Sequence, residues 1–199
     1  MNLFYRLGSN IYVNVTNLCH CNCEFCIRGR GDGVGDADTL WLPREPTLAE
    51  LKDAFLRRME SDKEPVAEIV FCGYGEPLER AEVVCELAGF IKARTGLPLR
   101  LNTNGLVRLI SPGFDIGRLS VFDTVSISLN ADTEEEYLRV TRPSFGIAAF
   151  GEMLAFAAGA AAHAKTQFTV VETLDAKRQE NAKALAAGLG VPLIVRSLM

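Results

Sequence analysis

Directly after its first predicted strand the chain reads Cys19-His20-Cys21-Asn22-Cys23-Glu24-Phe25-Cys26. Cys19, Cys23 and Cys26 have the spacing C-x3-C-x2-C, which can place three thiolates on three irons of a [4Fe–4S] cluster. The fourth iron then has no protein ligand and can bind a substrate or a cofactor. This pattern therefore indicates a catalyst and not a simple electron carrier.

Structural zinc is the alternative for these cysteines. Zinc takes four ligands, commonly as C-x2-C pairs with a second pair or histidines further along the chain. No second pair is present, and His163 is predicted on a distant helix. A zinc site that used Cys21 would crowd ligands at alternate positions. The spacing favours the cluster, with Cys21 as a spectator thiol.

The rest of the chain alternates predicted strands with predicted helices. Apolar patterning predicts strands at 11–16, 67–72, 99–103, 123–129, 166–172 and 191–196. The first helix is predicted to open at Thr47, which forms a capping-box pair with Glu50, and Asp132 is predicted to cap a short acidic helix. A further short helical piece is expected at 115–119. Six such units predict an α/β fold with a parallel sheet, either open and doubly wound or curled into a partial barrel.

Polar residues gather where these strands end. Gly73-Tyr74-Gly75-Glu76-Pro77 follows the second strand, Asn104 follows the third, and Ser128 and Asn130 end the fourth. Ligands of parallel sheets bind beyond the carboxyl ends of the strands. One edge of the sheet therefore collects the candidate site residues, and its glycines are expected to let a ligand approach the backbone closely.

Each of these groups also has a purely structural interpretation. The glycine segment alone is typical of a turn before a helix, and Asn104 before Gly105 is a common turn signal. Asn130 can serve as a turn former, and Arg142 as a solvated charge at a helix end. Arg142 could equally hold a carboxylate through a two-pronged charged hydrogen bond. Cys72 directly precedes the glycine segment and could be a radical or proton donor, but a small buried apolar residue is the favoured interpretation.

Taken in order, these motifs resemble those of the radical SAM superfamily. C-x3-C-x-Phe-C after the first strand is the signature of that family, and Phe25 occupies the place of its usual aromatic residue. The resemblance implies a partial (βα)6 barrel over essentially the whole chain. It also implies an enzyme that binds one [4Fe–4S] cluster and S-adenosylmethionine (SAM), cleaves SAM reductively to a 5′-deoxyadenosyl radical, and abstracts hydrogen from a substrate.

The resemblance also implies roles for residues at the strand ends. Gly75 and Glu76 are similar to the family's GGE motif, which binds the methionine amino group of the cofactor, and Tyr74 stands where a glycine is usual. Ser128 and Arg142 take the place of residues that bind the cofactor carboxylate.

Two asparagines complete the expected cofactor site. By resemblance, Asn130 lies near the ribose. Asn104 is expected to face the cofactor.

The segments 71–77, 101–105 and 126–130 together resemble the small radical SAM proteins encoded beside TatD-type nucleases. This likeness suggests a functional link to such a nuclease but no reaction. The substrate is unknown, possibly large or a protein, and an external electron donor such as flavodoxin or ferredoxin is implied. The alternatives are an activase that generates a radical on a partner protein, and a non-enzymatic metal-stabilised interaction module.

Composition sets the remaining expectations. The chain has 199 residues, 48% of them hydrophobic, and a net charge of −4, which argues against a sequence-independent nucleic-acid surface. We expect one radical SAM core domain over 1–199 without a C-terminal auxiliary-cluster domain. No membrane span or signal peptide is predicted, so we expect a cytoplasmic protein whose cysteines serve metal or catalytic roles.

Overall fold

The predicted alternation of strands and helices forms one continuous sheet in the computed structural model, which describes residues 1–29, 31 and 33–197. The strands, in sheet order, are β1 (Phe4–Leu7), β2 (Asn10–Val13), β3 (Glu68–Phe71), β4 (Leu99–Thr103), β5 (Thr124–Ser128), β6 (Lys165–Val171) and β7 (Leu193–Arg196). Helices connect them: α1 (Leu48–Ser61), α2 (Ala81–Lys92), α3 (Val107–Ile110), α4 (Glu134–Thr141), α5 (Ala148–Ala160) and α6 (Ala176–Gly188).

Strands β2 to β7 are all parallel to one another. Within the described residues β1 does not pair with β7, so the sheet is not closed into a barrel. The predicted α/β fold with a partial barrel of six parallel strands is confirmed. Because every carboxyl end of these six strands lies at the same edge, residues that follow them in the sequence are brought together.

Strand β1 was not predicted. It pairs antiparallel with β2 through the turn at Gly8 and Ser9, where Gly8 has a φ of +60° that favours glycine. Gly-Ser between two short runs is a hairpin signal. Four residues are too few for a clear alternating pattern, because Phe4 and Tyr5 are both buried, one on each face of the sheet.

Helix boundaries follow local chemistry. Thr47 caps α1, and both hydrogen bonds of the predicted capping box to Glu50 are present. The predicted cap of α4 was one residue off, because Thr133 and not Asp132 accepts the backbone N–H of Glu136. The piece predicted at 115–119 is a 3-10 helix, Ile116–Val121, and the short α3 was not predicted.

Two apolar clusters lie on opposite faces of the sheet. The larger cluster fills the space between the sheet and the helices and includes Phe4. The smaller cluster contains Tyr5, Leu40 and Tyr74, with Tyr12 packed against it. The chain after the cysteines therefore covers the inner face at β1 and β2, and the inner face of the other strands lines a cavity. Among the described residues no helix is both long enough and apolar enough to cross a bilayer.

Candidate functional site

A cavity of about 360 Å³ lies at the carboxyl edge of the sheet. Nine of the ten residues singled out from the sequence line it: Cys19, Cys23, Phe25, Cys26, Gly75, Glu76, Asn104, Ser128 and Asn130. Arg142 is the one that does not. The fold thus brings together residues that are separated by more than a hundred positions in the sequence.

The cysteine segment is held from outside by the end of α4. Asn22 and Glu24 donate their backbone N–H groups to the carbonyls of Thr141 and Val140, each at 2.9 Å. These bonds satisfy carbonyls at the last turn of a helix, which have no partner within the helix itself. The alternating residues Cys21 and Cys23 are thereby fixed towards the cavity, and both line it.

The thiols of this segment differ in acidity. A hydrogen bond from Cys21 lowers the pKa of the Cys19 thiol to about 6, and the pKa of Cys23 is lowered for the same reason. The pKa of Cys21 is raised by the same two contacts and by burial. The two hydrogen bonds thus favour the protonated form of Cys21 and the thiolate forms of Cys19 and Cys23. Because the thiolate is the form that binds metal, Cys19 and Cys23 fit the role of cluster ligands.

The cysteines line one cavity without meeting at a point. Across residues 1–29, 31 and 33–197, no three His, Cys, Asp or Glu side chains converge closely enough to hold a single metal ion. A [4Fe–4S] cluster binds each cysteine through a separate iron, so its ligands do not need to converge. The donor set of Cys19, Cys23 and Cys26 fits such a cluster.

Glu76 joins the ends of β3 and β4. Its carboxylate, 5% exposed, accepts hydrogen bonds from the Thr103 hydroxyl at 2.7 Å and from the backbone N–H groups of Asn104 at 2.7 Å and Leu78 at 3.1 Å. Burial raises the pKa of Glu76 to about 8, with a smaller contribution from the Cys19 thiolate, and the three hydrogen bonds only partly offset this. Glu76 therefore fixes the geometry of both strand ends.

The glycines beside Glu76 serve the protein's own packing. A Cβ on Gly73 would overlap the Asn14 side chain, and a Cβ on Gly75 would lie 2.6 Å from the Leu18 carbonyl oxygen and closer still to that of Thr16. Both glycines also line the cavity, so the expectation that a ligand approaches their backbone closely stays a prediction. They allow the segment after β3 to lie against the segment that leads from β2 into the cysteines.

Tyr74, the departure from the usual glycine, lines the cavity and belongs to the smaller apolar cluster. Its hydroxyl donates to the carbonyl of Gly31 at 2.6 Å, and its ring packs edge-on against Trp41 at 5.0 Å. Tyr74 thus anchors the glycine-rich segment that follows the cysteines.

Two asparagines line the cavity, and they differ in whether the side-chain oxygen accepts a hydrogen bond from the protein. The side-chain oxygen of Asn104 accepts from the backbone N–H of Leu106, and its amide nitrogen lies 3.8 Å from the Cys21 sulfur. Asn130 is 4% exposed and has a left-handed backbone with φ of 57°. Its Oδ1 atom is buried and has no hydrogen-bond partner in the described part of the chain. A buried acceptor without a partner is costly, so it indicates a position for a donor group of a ligand.

Arg142 lies on the far side of the cysteine segment. Its guanidinium forms an ion pair with Glu24 at 2.7 Å, and its side chain is 53% exposed. Arg139 reaches the same carboxylate at 3.2 Å. The structure therefore does not bring Arg142 together with Ser128, and it shows an arginine that clamps the cysteine segment to α4.

Several polar residues of the cavity were not predicted. They share the inner face of the strands, at every second position, and are Arg100, Asn102, Ser126, Gln167 and Arg196. For β4 to β6 the signal was present in the sequence, because these strands alternate apolar residues of the core with polar ones. Polar side chains at alternate positions of strands otherwise buried beneath helices mark the wall of a cavity.

Comparison with known proteins gives a family. The sequence model described as Radical SAM superfamily matches residues 13–159. A GTP 3′,8-cyclase of Rhodococcus opacus is 29% identical over 139 residues, which are 70% of this chain and 37% of that protein. A probable dual-specificity RNA methyltransferase RlmN of Clostridium acetobutylicum is 26% identical over 136 residues, 66% of this chain and 36% of that protein. The chain thus spans well under half the length of these relatives.

Solved structures show the same fold. The structure titled "Native anSMEcpe with bound AdoMet" superposes with a TM-score of 0.62 at 15% identity and covers 94% of this chain and 50% of that one. The family match extends over well over half of the sequence, from β2 through α5, and contains the cysteine segment, Glu76 and Asn130. The chain belongs to the radical SAM superfamily.

Proposed function

We propose that this protein is a radical SAM enzyme that binds one [4Fe–4S] cluster through Cys19, Cys23 and Cys26 and binds SAM in the adjoining cavity. The observation that carries the proposal is the placement of three motif cysteines in the wall of a cavity that also contains Glu76 and the unpartnered oxygen of Asn130. When bound, the cluster supplies the electron that cleaves SAM to methionine and a 5′-deoxyadenosyl radical, which abstracts hydrogen from the substrate.

The chain's own residues bind and orient the cofactor. Phe25 packs against the core beside the cysteines and presents an apolar wall. Glu76 and Gly75 hold the strand ends at the position where the methionine amino group would bind. Ser128 and Asn130 offer a hydroxyl and an amide from β5 and the turn after it, and the free Oδ1 of Asn130 can accept a hydrogen bond from a ribose hydroxyl.

Arg142 receives a different role from the one implied by resemblance. Because its guanidinium is engaged by Glu24, we propose that it stabilises the cysteine segment from outside. The carboxylate of SAM then depends on other donors of the cavity.

The reaction partners are proposed by class. The relatives carry out different reactions and are much longer than this chain, so neither GTP nor RNA is assigned as a substrate. Reductive cleavage needs an electron donor such as flavodoxin or ferredoxin. The likeness to the TatD-associated proteins rests on the segments 71–77, 101–105 and 126–130, and a link to such a nuclease is proposed on that ground alone.

The test is formation of 5′-deoxyadenosine. The protein is reconstituted anaerobically with iron and sulfide, supplied with SAM and dithionite, and analysed by mass spectrometry. We expect the product from the wild type and a loss of at least a hundredfold in Cys23→Ala. Cys85→Ala is the matched control, because Cys85 is buried among the apolar side chains of α2, away from the cavity, and should leave cleavage intact. Cleavage by Cys23→Ala at the wild-type rate would contradict the proposal.

A further inference from the structure

The inner face of the sheet carries a band of hydrogen-bonding side chains below the proposed cofactor site. Asn102 on β4, Ser126 on β5 and Gln167 on β6 are in register on three neighbouring strands. The Gln167 amide donates to the Ser126 hydroxyl at 2.8 Å. All three line the cavity. A band of amides and a hydroxyl is a surface for a polar ligand and not for an apolar one.

Two arginines flank this band, and they differ in whether an acidic side chain of the protein neutralises their charge. Arg100 is paired with Glu68 at 2.8 Å and donates to Asn102 at 3.3 Å, so its charge is balanced within the protein. Arg196 ends β7 in register with Val171 of β6 and lines the cavity. Its guanidinium forms no ion pair and no hydrogen bond with any side chain in the described part of the chain.

The position of Arg196 relative to the cysteines matters for a ligand. The cysteines follow β2, whereas Arg196 ends β7, five strands away in the sheet order. Both groups line the same cavity, from the two ends of the run of parallel strands. Burial raises the pKa of the Cys72 thiol, which follows β3. A hydrogen bond with Asn102 and, to a lesser extent, the charge of Arg196 act in the opposite direction, so Arg196 lies within electrostatic reach of this thiol.

We propose that the substrate binds to this inner face between the cysteines and β7, and that it carries an anionic group, a phosphate or a carboxylate, which Arg196 binds. A guanidinium forms paired hydrogen bonds with either anion, and a partly desolvated cation without a partner is stabilised by one. Asn102, Ser126 and Gln167 then contact the polar body of the same molecule. The proposal rests on the proposed function for the identity of the substrate site, but the anion site itself can be measured without turnover.

The experiment measures anion binding calorimetrically in the reconstituted protein at low ionic strength, without reductant. Inorganic phosphate and succinate are the two probes, and the tighter one identifies the anion. Arg196→Gln should weaken binding at least tenfold, and Arg196→Lys should fall between it and the wild type because it keeps the charge. Arg57→Gln is the matched control: it removes the same charge from an exposed position of α1 and should bind within twofold of the wild type.

A parallel titration with SAM separates the substrate from the cofactor. We expect Arg196→Gln to bind SAM within twofold of the wild type. A parallel loss of SAM affinity would overturn the proposal, because Arg196 would then hold the cofactor carboxylate. Wild-type protein that binds neither anion, or Arg196→Gln protein that binds both as the wild type does, would overturn it as well.

Failure of the proposed function has a different signature. If the cysteines bind no cluster, the same phosphate and succinate titrations on the cluster-free protein still report on Arg196. Circular dichroism confirms that each variant is folded.

Discussion

Replacing Gly75 by alanine tests how the cysteine segment is positioned. The added methyl group would lie 2.6 Å from the backbone oxygen of Leu18 and closer still to that of Thr16. Both oxygens belong to the chain that leads from β2 into the cysteines, so neither can move as a flexible side chain can. The Glu76 backbone N–H donates to the same Leu18 carbonyl at 2.8 Å, and this hydrogen bond would be strained as well.

The expected cost follows from these contacts. Overpacking of this kind costs about 1–3 kcal/mol, and a weakened backbone hydrogen bond adds about 1 kcal/mol. We therefore expect Gly75→Ala to lower the free energy of unfolding by about 2–4 kcal/mol. Gly75 does not have a positive φ, so the loss would come from contact and not from backbone conformation.

Gly89→Ala is the matched control. Gly89 lies inside α2 with no atom within 4 Å of the added methyl group, so the change should stabilise the protein by about 0.5–1 kcal/mol. Urea unfolding of the cluster-free proteins, followed by circular dichroism, measures both values. If Gly75→Ala is as stable as Gly89→Ala, the inference that the segment at Gly75 lies in close contact with the backbone of Thr16 and Leu18 is refuted.

Three further changes address the capping box, a part-buried ion pair and the carboxyl group at the strand ends. Thr47→Ala should cost about 1 kcal/mol in urea unfolding, because it removes the cap of α1; no loss would contradict the capping-box assignment. Asp62→Asn should cost about 2 kcal/mol at pH 7, because Arg6 donates two hydrogen bonds to this carboxylate. Those bonds hold the pKa of Asp62 below its ordinary value of 3.8, so its contribution is full above that pH and is lost as the pH falls through the folded-state pKa; a difference between wild type and variant that does not shrink below pH 4 would refute this. Glu76→Gln should speed hydrogen exchange of the Asn104 amide, since an NH2 group replaces the oxygen that accepts its backbone N–H; an exchange rate equal to that of the wild type would contradict this assignment.

The sequence predicts the sheet well because the signals are local. Apolar patterning marks each of the six parallel strands, and the capping box of Thr47 and Glu50 marks the start of α1. Strand β1 escaped prediction because it has four residues and buries neighbours on both faces. Its stability comes from pairing with β2, which a local pattern does not reveal.

The sequence predicted which residues line the candidate site better than it predicted which residues contact one another there. The cysteine spacing, the rule that ligands bind at strand ends and the resemblance to the radical SAM superfamily together identified nine cavity residues. The partner of Arg142 is Glu24, 118 positions away in the sequence. The backbone oxygens that leave no room for a side chain at Gly75 belong to Thr16 and Leu18. Such pairings depend on how distant segments pack. Arg196 was missed because a single charge near the end of a strand looks the same whether it faces solvent or a cavity.

The most direct test of the account is metal and sulfide analysis of the reconstituted protein. We expect about four iron and four sulfide per chain in the wild type. Cys19→Ala, Cys23→Ala and Cys26→Ala should each lose most of both, whereas Cys21→Ala should retain them. Zinc without sulfide in the wild type, or loss of the cluster in Cys21→Ala with retention in Cys26→Ala, would contradict the assignment of the three cysteines.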